Sequence, residues 1–360
     1  MKKAGWKTKC LLSAAFLIVF LTSMFVLSLA VKDPTNTIRS DGLLVLDGQT
    51  MGTTFRILLH ENAVDEASKQ SLPTKINLLL NKLDSEIFST YVLNSQLSQL
   101  NRTPPGVVYQ GSSELLQVLI TAQQVHAFSN GAFDISIKPL VDLWGFGVIN
   151  PTVGTPAQTE IEKALERIGM ENIILESNNS GVIRTQDVTL DLSAIAKGFA
   201  VDQLSLLLEV EGQMNYLVEI GGEVVTRGLR VDGAFWQLGI ENPVQGLKKE
   251  ADTFQKLNIP FNKTAIAASG SYRNFFMHEG RRYSHTLNPV TGWPVSHDLI
   301  AVTVIAESAM LADAWATAFM VLGLEEGMKL ANELQLAAYF ITLSTSGYQG
   351  LHSENFIQYL

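Results

Sequence analysis

Only one cysteine, Cys10, occurs in 360 residues, and it stands in an apolar run near the N-terminus. The rest of the chain therefore has no disulfide framework, no thiol chemistry and no cysteine-based zinc cluster. Basic residues are also few: 26 Lys and Arg stand against 35 Asp and Glu, for a net charge of -9. That balance excludes a general nucleic-acid binder, which needs a basic face to meet phosphate. The chain contains no Gly-rich P-loop, no internal repeat and no low-complexity tract. Long hydrophobic runs are absent with one exception. Cys10 to Val31 carries no charge and follows Lys2, Lys3, Lys7 and Lys9. A basic flank before a run of this length predicts a signal or membrane anchor over residues 1–31. The flank should stay inside, which places the remainder on the extracytoplasmic (periplasmic) side of the inner membrane. Ser28-Leu-Ala30 offers a small-residue cleavage site as the alternative, and no Cys follows the run to carry a lipid. Residues 32–42 are polar and read as a tether before one large domain, 43–360.

What the chain has in quantity is apolar residues, 46% of the total, enough for a sizeable core. Leu43 to Leu46 and Thr53 to Leu59 read as strands around a turn containing Gly52, where an ordinary hairpin suffices. Ile76, Leu79, Leu80, Leu83 and Ile87 follow helical spacing. Ser112 to Phe128 reads as a helix capped by Asn130-Gly131. Glu160 to Ile168 is a further helix, after a polar connection from Asn150 to Gln158. Ile173 to Leu175 and Val188 to Leu190 read as short strands around an Asn-Asn-Ser-Gly turn. Further strands are expected at Tyr216 to Ile220, Trp236 to Ile240, Ala265 to Ala268, Arg282 to His285, Leu299 to Ile305 and 337 to 342. Helix 325–334 stands apart from the helix before it.

That preceding helix, Ser308 to Gly323, is apolar almost all round and should be buried, with Gly323 as its stop. Asp313 and Thr317 lie four residues apart on one of its faces. A buried carboxylate is costly unless paired, hydrogen-bonded or bound to a metal. Bonds to neighbouring backbone groups satisfy that demand, and so does a hard cation such as Mg²⁺ held by oxygen ligands. Other stretches carry a similar choice. Gly131 to Gly147, dense in glycine and aromatics, suits either a loop approaching a planar ligand or a plain core loop. Asp191 to Asp202 runs from a strand end into a helix, where Lys197 and the opening amides receive a phosphate or Lys197 is simply solvated. His285 beside the Asn288-Pro289 turn is an acid, a base or a cap on that loop.

Taken together, these stretches resemble the FAD:protein FMN transferase (ApbE) family. The matching pieces are Met51-Gly-Thr53, Gly131-Ala-Phe-Asp134, Pro139-Leu140, Trp144-Gly-Phe-Gly147 and Asp191-Leu-Ser-Ala-Ile-Ala-Lys-Gly198. They continue with Val218-Glu-Ile-Gly-Gly-Glu223, Ser269-Gly-Ser-Tyr272, His285-Thr286 with Pro289 and Thr291-Gly292, and Ala312-Asp-Ala-Trp-Ala-Thr317. They appear in family order over residues 43 to 345. The resemblance implies an α+β fold of mixed sheets with packed helices and a flavin site between two lobes. It implies an enzyme that splits FAD and moves FMN onto a Ser or Thr hydroxyl of an acceptor flavoprotein, releasing AMP. It also implies FAD contacts at Met51, Tyr91, Ala132, Phe133, Asp134, Asp191, Lys197 and Leu287. The implied Mg²⁺ ligands are Asp313, Thr317 and a backbone oxygen near Ala194, and the base is His285. Ala316 stands where family members carry an acid, so that position supplies no ligand. FAD hydrolysis to free FMN and non-catalytic flavin carriage use the same site and stay open.

Overall fold

Leu299 to Ala306 is apolar except for Thr303 and buried at every position but the last. A strand of that kind needs cover on both faces, and it lies deep in the largest sheet. The coordinates are a computed structural model that describes residues 35–147, 154–176, 181–243, 253–272 and 275–360. The expected leader, the start of the tether, residues 150–153 of the polar connection, the Asn-Asn-Ser part of the turn and Arg273 lie outside those residues.

The large sheet has nine strands. In spatial order they are β1 (Thr35–Ile38), β2 (Leu43–Thr50), β3 (Thr53–His60), β7 (Tyr216–Ile220), β8 (Glu223–Arg227), β11 (Thr264–Gly270), β14 (Leu299–Ala306), β15 (Ala337–Ser344) and β16 (Gly347–His352). Every adjacent pair is antiparallel. A three-stranded sheet is ordered β4 (Val108–Gln110), β6 (Gly181–Arg184), β5 (Ile173–Leu175). Two hairpins complete the strands: β9 (Gln237–Glu241) with β10 (Thr253–Asn258), and β12 (Phe275–His278) with β13 (Arg281–Ser284).

The helices are α1 (Glu66–Asn81), α2 (Gln96–Arg102), α3 (Ser113–Phe128), α4 (Lys138–Leu143), α5 (Gln158–Leu165), α6 (Ala196–Val210) and α7 (Ala309–Glu333). A π-helical turn, Lys82–Phe88, continues α1. The expected caps form: Ser112 Oγ accepts from the Leu115 amide and Ser308 Oγ from the Leu311 amide. Asn130 and Gly131 both take positive φ after α3.

The main core fills the space between one face of the large sheet and α1, α3, α6 and α7. On the other face, Ile266, Ala301, Ile305 and Tyr339 meet Ile240, Leu257 and Ile259 from the β9–β10 region. A third cluster gathers Leu140, Trp144, Ile161 and Leu287. Residues Pro34–Leu360 make up one compact unit.

Gly323, with φ of 81° and ψ of -177°, breaks the helix that opens at Ser308, as expected, and the chain then turns helical again to Glu333. α7 is thus two helices joined at a kink, the second being the one expected over 325–334. Several other elements differ from the sequence expectation. Val188 to Leu190 is not a strand, since Thr189 makes only an isolated bridge with Ile137. The partner of β5 is β6 instead, on the near side of that stretch. Part of the polar stretch read as a tether, Thr35–Ile38, pairs with β2 as an exposed edge strand. Strands β4, β8, β10, β12 and β16 had no counterpart among the expected strands.

Candidate active site

The crossing of α6 and α7 builds the centre of the site. A Cβ added at Gly198 would lie 2.2 Å from the Ala309 backbone oxygen and 2.6 Å from its carbonyl carbon. Only glycine permits that approach. It lets the Gly198 amide donate to Asp313 Oδ2 at 3.1 Å, across the two helices. The neighbouring Lys197 places its ammonium 3.6 Å from the same oxygen and 2.8 Å from Glu223 Oε1. Glu223 enters from a third element, the start of β8, directly after Gly221 and Gly222 with φ of 62° and 114°. Its other oxygen, Oε2, is buried and has no hydrogen-bond partner among the described residues.

Two carboxylates therefore share one ammonium. Burial raises the Glu223 pKa, Lys197 opposes that, and Asp313 adds to it, leaving the carboxyl at about 7. Burial likewise raises Asp313 against the pull of Lys197 and the Gly198 amide. For Lys197, burial acts downward, but Asp313 and Glu223 outweigh it and the ammonium is held more firmly than usual. The cluster carries one uncompensated negative charge whenever both acids are ionised.

This cluster lies on a cavity of about 340 Å³. Its walls include Ala132, Phe133, Asp134, Asp191, Ala194, Lys197, His285, Leu287, Asp313 and Thr317. Thr317 stands one turn beyond Asp313 on α7, which brings both onto one wall as the spacing predicts. A second cavity of about 560 Å³ holds Met51 and Tyr91 together with Phe146 and Lys138. Val141, Asp191, Ser193 and Lys197 line both. The two spaces thus meet at Lys197. Ten of the twelve residues singled out from the sequence line the first cavity and the remaining two the second.

Local structure explains how they are held. Met51 and Gly52 form a two-residue turn with positive φ between β2 and β3, and the Met51 amide donates to Asp84 Oδ2 at 3.0 Å. Asp134 is buried, bonded through Oδ1 to the Ser136 amide and hydroxyl. Burial raises its pKa against those two bonds. The Asp191 amide donates to Ile135 O at 2.7 Å and its Oδ1 accepts from the Ser193 amide, which fixes the turn leading to Ala194. Tyr91 is largely exposed at the rim of the second cavity. His285 lines the first and meets Phe146 edge-on at 6.3 Å.

Within the aromatic loop, the reading as a ligand platform holds only in part. Trp144 is buried, donates through Nε1 to Gly292 O at 2.8 Å and stacks on Tyr283 at 5.7 Å. It is a core residue. Phe146 and Phe133 reach the cavities instead. Glu223 was visible only as the last letter of a glycine-containing motif and gained its role from the strand that follows.

No three His, Cys, Asp or Glu among the described residues stand close enough to hold a metal between them. The donor set around Asp313 is of another kind: a carboxylate, the Thr317 hydroxyl and the chain at Ala194, beside an orphaned carboxylate oxygen. All-oxygen donors with a surplus negative charge suit a hard divalent cation.

The antiparallel sheet with Asp313, Lys197 and Glu223 gathered beneath two joined cavities defines a ligand-binding α+β protein with an acidic centre. The profile of the ApbE family matches residues 51–340. The chain belongs to that family. Its relatives include the FAD:protein FMN transferase of Klebsiella pneumoniae, 34% identical over 88% of this chain and 89% of the relative. The Vibrio cholerae protein of the same name is 35% identical over 88% of this chain and 92% of its own length. Among solved structures, the flavin transferase ApbE from Vibrio cholerae superposes with a TM-score of 0.79 at 34% identity, covering 88% of this chain and 99% of that one.

Proposed function

We propose that the protein transfers the FMN half of FAD to a Ser or Thr hydroxyl of an acceptor flavoprotein. The observation that carries this reading is the meeting of two cavities at Lys197, beside Asp313 and Glu223. A dinucleotide needs two compartments with its pyrophosphate between them. Lys197 at the shared wall supplies a positive charge where those phosphates would lie. Phe133, Ala132 and Leu287 give one compartment apolar surface, and Met51, Phe146 and Tyr91 line the other.

In the reaction, the acceptor oxygen forms a bond to the FMN phosphorus and the bond to the AMP phosphate oxygen breaks. The products are a phosphoester on the acceptor and AMP. The hydroxyl proton leaves as the bond forms, and His285 is the base placed to take it. General bases of this kind contribute about 10²–10⁴-fold. Asp313, Thr317 and a backbone oxygen near Ala194 would hold Mg²⁺, with Glu223 adding charge beside them. Bound there, the cation supplies charge neutralisation on the pyrophosphate, the main demand of phosphoryl transfer. Lys197 adds to that neutralisation, and Asp134 and Asp191 fix the loops that line the first cavity.

The catalytic domain acts outside the cytoplasm, held at the inner membrane by residues 1–31 or released after cleavage near Ala30. The basic flank and apolar run support this. Recovery of the domain as a soluble cytoplasmic protein on fractionation would contradict it. For the reaction, the test is to mix protein, FAD, Mg²⁺ and a flavoprotein. Covalent flavin on the acceptor with AMP released is the expected result. Free FMN with AMP would mark a hydrolase, and unchanged FAD a carrier.

A further inference from the structure

The large sheet has an interruption beside the site. Strand β8 accompanies β11 only through the pairs Thr226–Thr264, Val225–Ala265 and Val224–Ile266. It goes no further because Gly221 and Gly222 turn the chain back into β7. β11 continues to Gly270, paired with β14 on its other side. Among the described residues no strand pairs the β8 side of Ala267 to Gly270. The orientation of the backbone there follows from one bond: the Ser271 amide donates to Ile300 O at 2.9 Å. Residues in an antiparallel ladder alternate in the direction of both polar groups. Ser269 and Ser271 therefore face β14, and Ala268 and Gly270 present N–H and C=O to the interrupted side.

The two faces at this edge are different chambers. Ser269 shares its face with Ala265 and Ala267, which pack in the main core under α7. That is the face of the first cavity, with Asp313, Lys197 and His285. Ala268 and Gly270 share theirs with Ile266. There a third cavity of about 220 Å³ opens, walled by Val224, Leu238, Leu257 and Ile266. Ala268, Ser269 and Gly270 line both cavities, so the open edge is the boundary between them.

Resting on the transferase reading, we propose that the acceptor is bound as an extended segment added to this edge of β11, in the line that β8 leaves. An added strand takes its hold from backbone hydrogen bonds and its selectivity from pockets that meet alternate side chains. The acceptor Ser or Thr then points to the first cavity, and the residues before and after it point to the third. The third cavity is small, and Glu241, Tyr272 and Thr303 add polar groups to its apolar walls. At about 220 Å³ it accepts small side chains at both flanking positions and rejects large ones. Four residues of open edge, Ala267 to Gly270, set the scale of the segment. Flavin transfer by this chain thus requires an acceptor site that is unfolded or on a flexible loop.

The test uses the enzyme unchanged. A ten-residue peptide library with a fixed central Thr and random flanks is incubated with enzyme, FAD and Mg²⁺, and the fluorescent products are sequenced. Gly, Ala and Ser or Val should dominate on both sides of the Thr. Single N-methylation along the best peptide should lower kcat/KM by roughly tenfold or more at alternate residues only, where a lost hydrogen bond adds to a steric clash. Leu238→Trp, which fills the third cavity from the hairpin, should raise the KM for peptide and leave FAD affinity unchanged. Labelling with no flank selection and no period of two in the methyl scan overturns strand addition while the transferase reading stands. No labelled peptide, from enzyme that binds FAD, counts against the transferase reading and takes this proposal with it.

Discussion

Replacing Glu223 by Gln removes half of an acid pair that a single lysine cannot neutralise. The magnitude follows from the raised pKa, about 7 against an ordinary value of 4.5. That difference of about 2.5 units, at ~1.36 kcal/mol per unit, amounts to roughly 3 kcal/mol. The folded state holds this proton more tightly than the unfolded chain, so the sign is fixed. Stability is greatest below the ordinary Glu pKa, declines as pH rises from about 4.5 to 7 and bears the whole penalty above that. Glu223→Gln keeps the shape and the Lys197 contact without the charge. In EDTA its melting temperature should exceed wild type at pH 8 and match it near pH 4.5, with a flatter profile between. Differential scanning fluorimetry across pH 4.5–8.5 measures both curves. Mg²⁺ should then stabilise wild type at pH 8 more than the variant, because the cation relieves the same surplus charge. Parallel curves for the two proteins in EDTA would refute the shared-ammonium account of the site.

Asp313→Ala should abolish Mg²⁺-dependent flavin transfer while the protein stays folded, since losing a costly buried carboxylate offsets the unpaired Gly198 amide; Thr317→Val should act in the same direction more mildly. Normal Mg²⁺-dependent turnover by the alanine variant would sink the metal assignment. His285→Ala should lower transfer by about 10²–10⁴-fold with FAD affinity intact; a fall in FAD affinity and melting temperature at an unchanged saturated rate would make it a scaffold residue. Gly198→Ala drives a methyl into the Ala309 carbonyl. It should cost on the order of 1–3 kcal/mol or more by overpacking, read as a melting temperature several degrees lower.

The elements most legible in the sequence were those fixed by local chemistry. Ser308, Ser112 and Asn130-Gly131 announced helix ends because caps satisfy backbone groups within a few residues. Asp313 and Thr317 were placed together by helical spacing alone. Gly323 announced the end of the first part of α7 because its positive φ is not helical, and a second helix follows it. In the β9–β10 and β12–β13 hairpins one strand of each was legible, whereas β10 and β12 were not, since they lie outside the main sheet and carry little alternation. For Trp144, composition left ligand platform and core loop open, and the choice fell to a distant group: its indole N–H donates to Gly292, 148 residues along the chain. Glu223 shows the same difficulty. Its importance comes from Lys197 and Asp313, brought to it by elements that no local pattern relates.

The glycine at the α6–α7 crossing has a consequence for how this protein can change over time. Lys197 and Gly198 are consecutive, and both address the same oxygen of Asp313. Helix spacing and charge placement are thus a single mechanical variable. Substitutions that loosen or tighten this crossing retune the acidic centre at the same stroke, so descendants of this chain can drift in their outer hairpins far more freely than along this seam. A sequence that kept the catalytic letters but lost the glycine would be expected to have forfeited the chemistry with the packing.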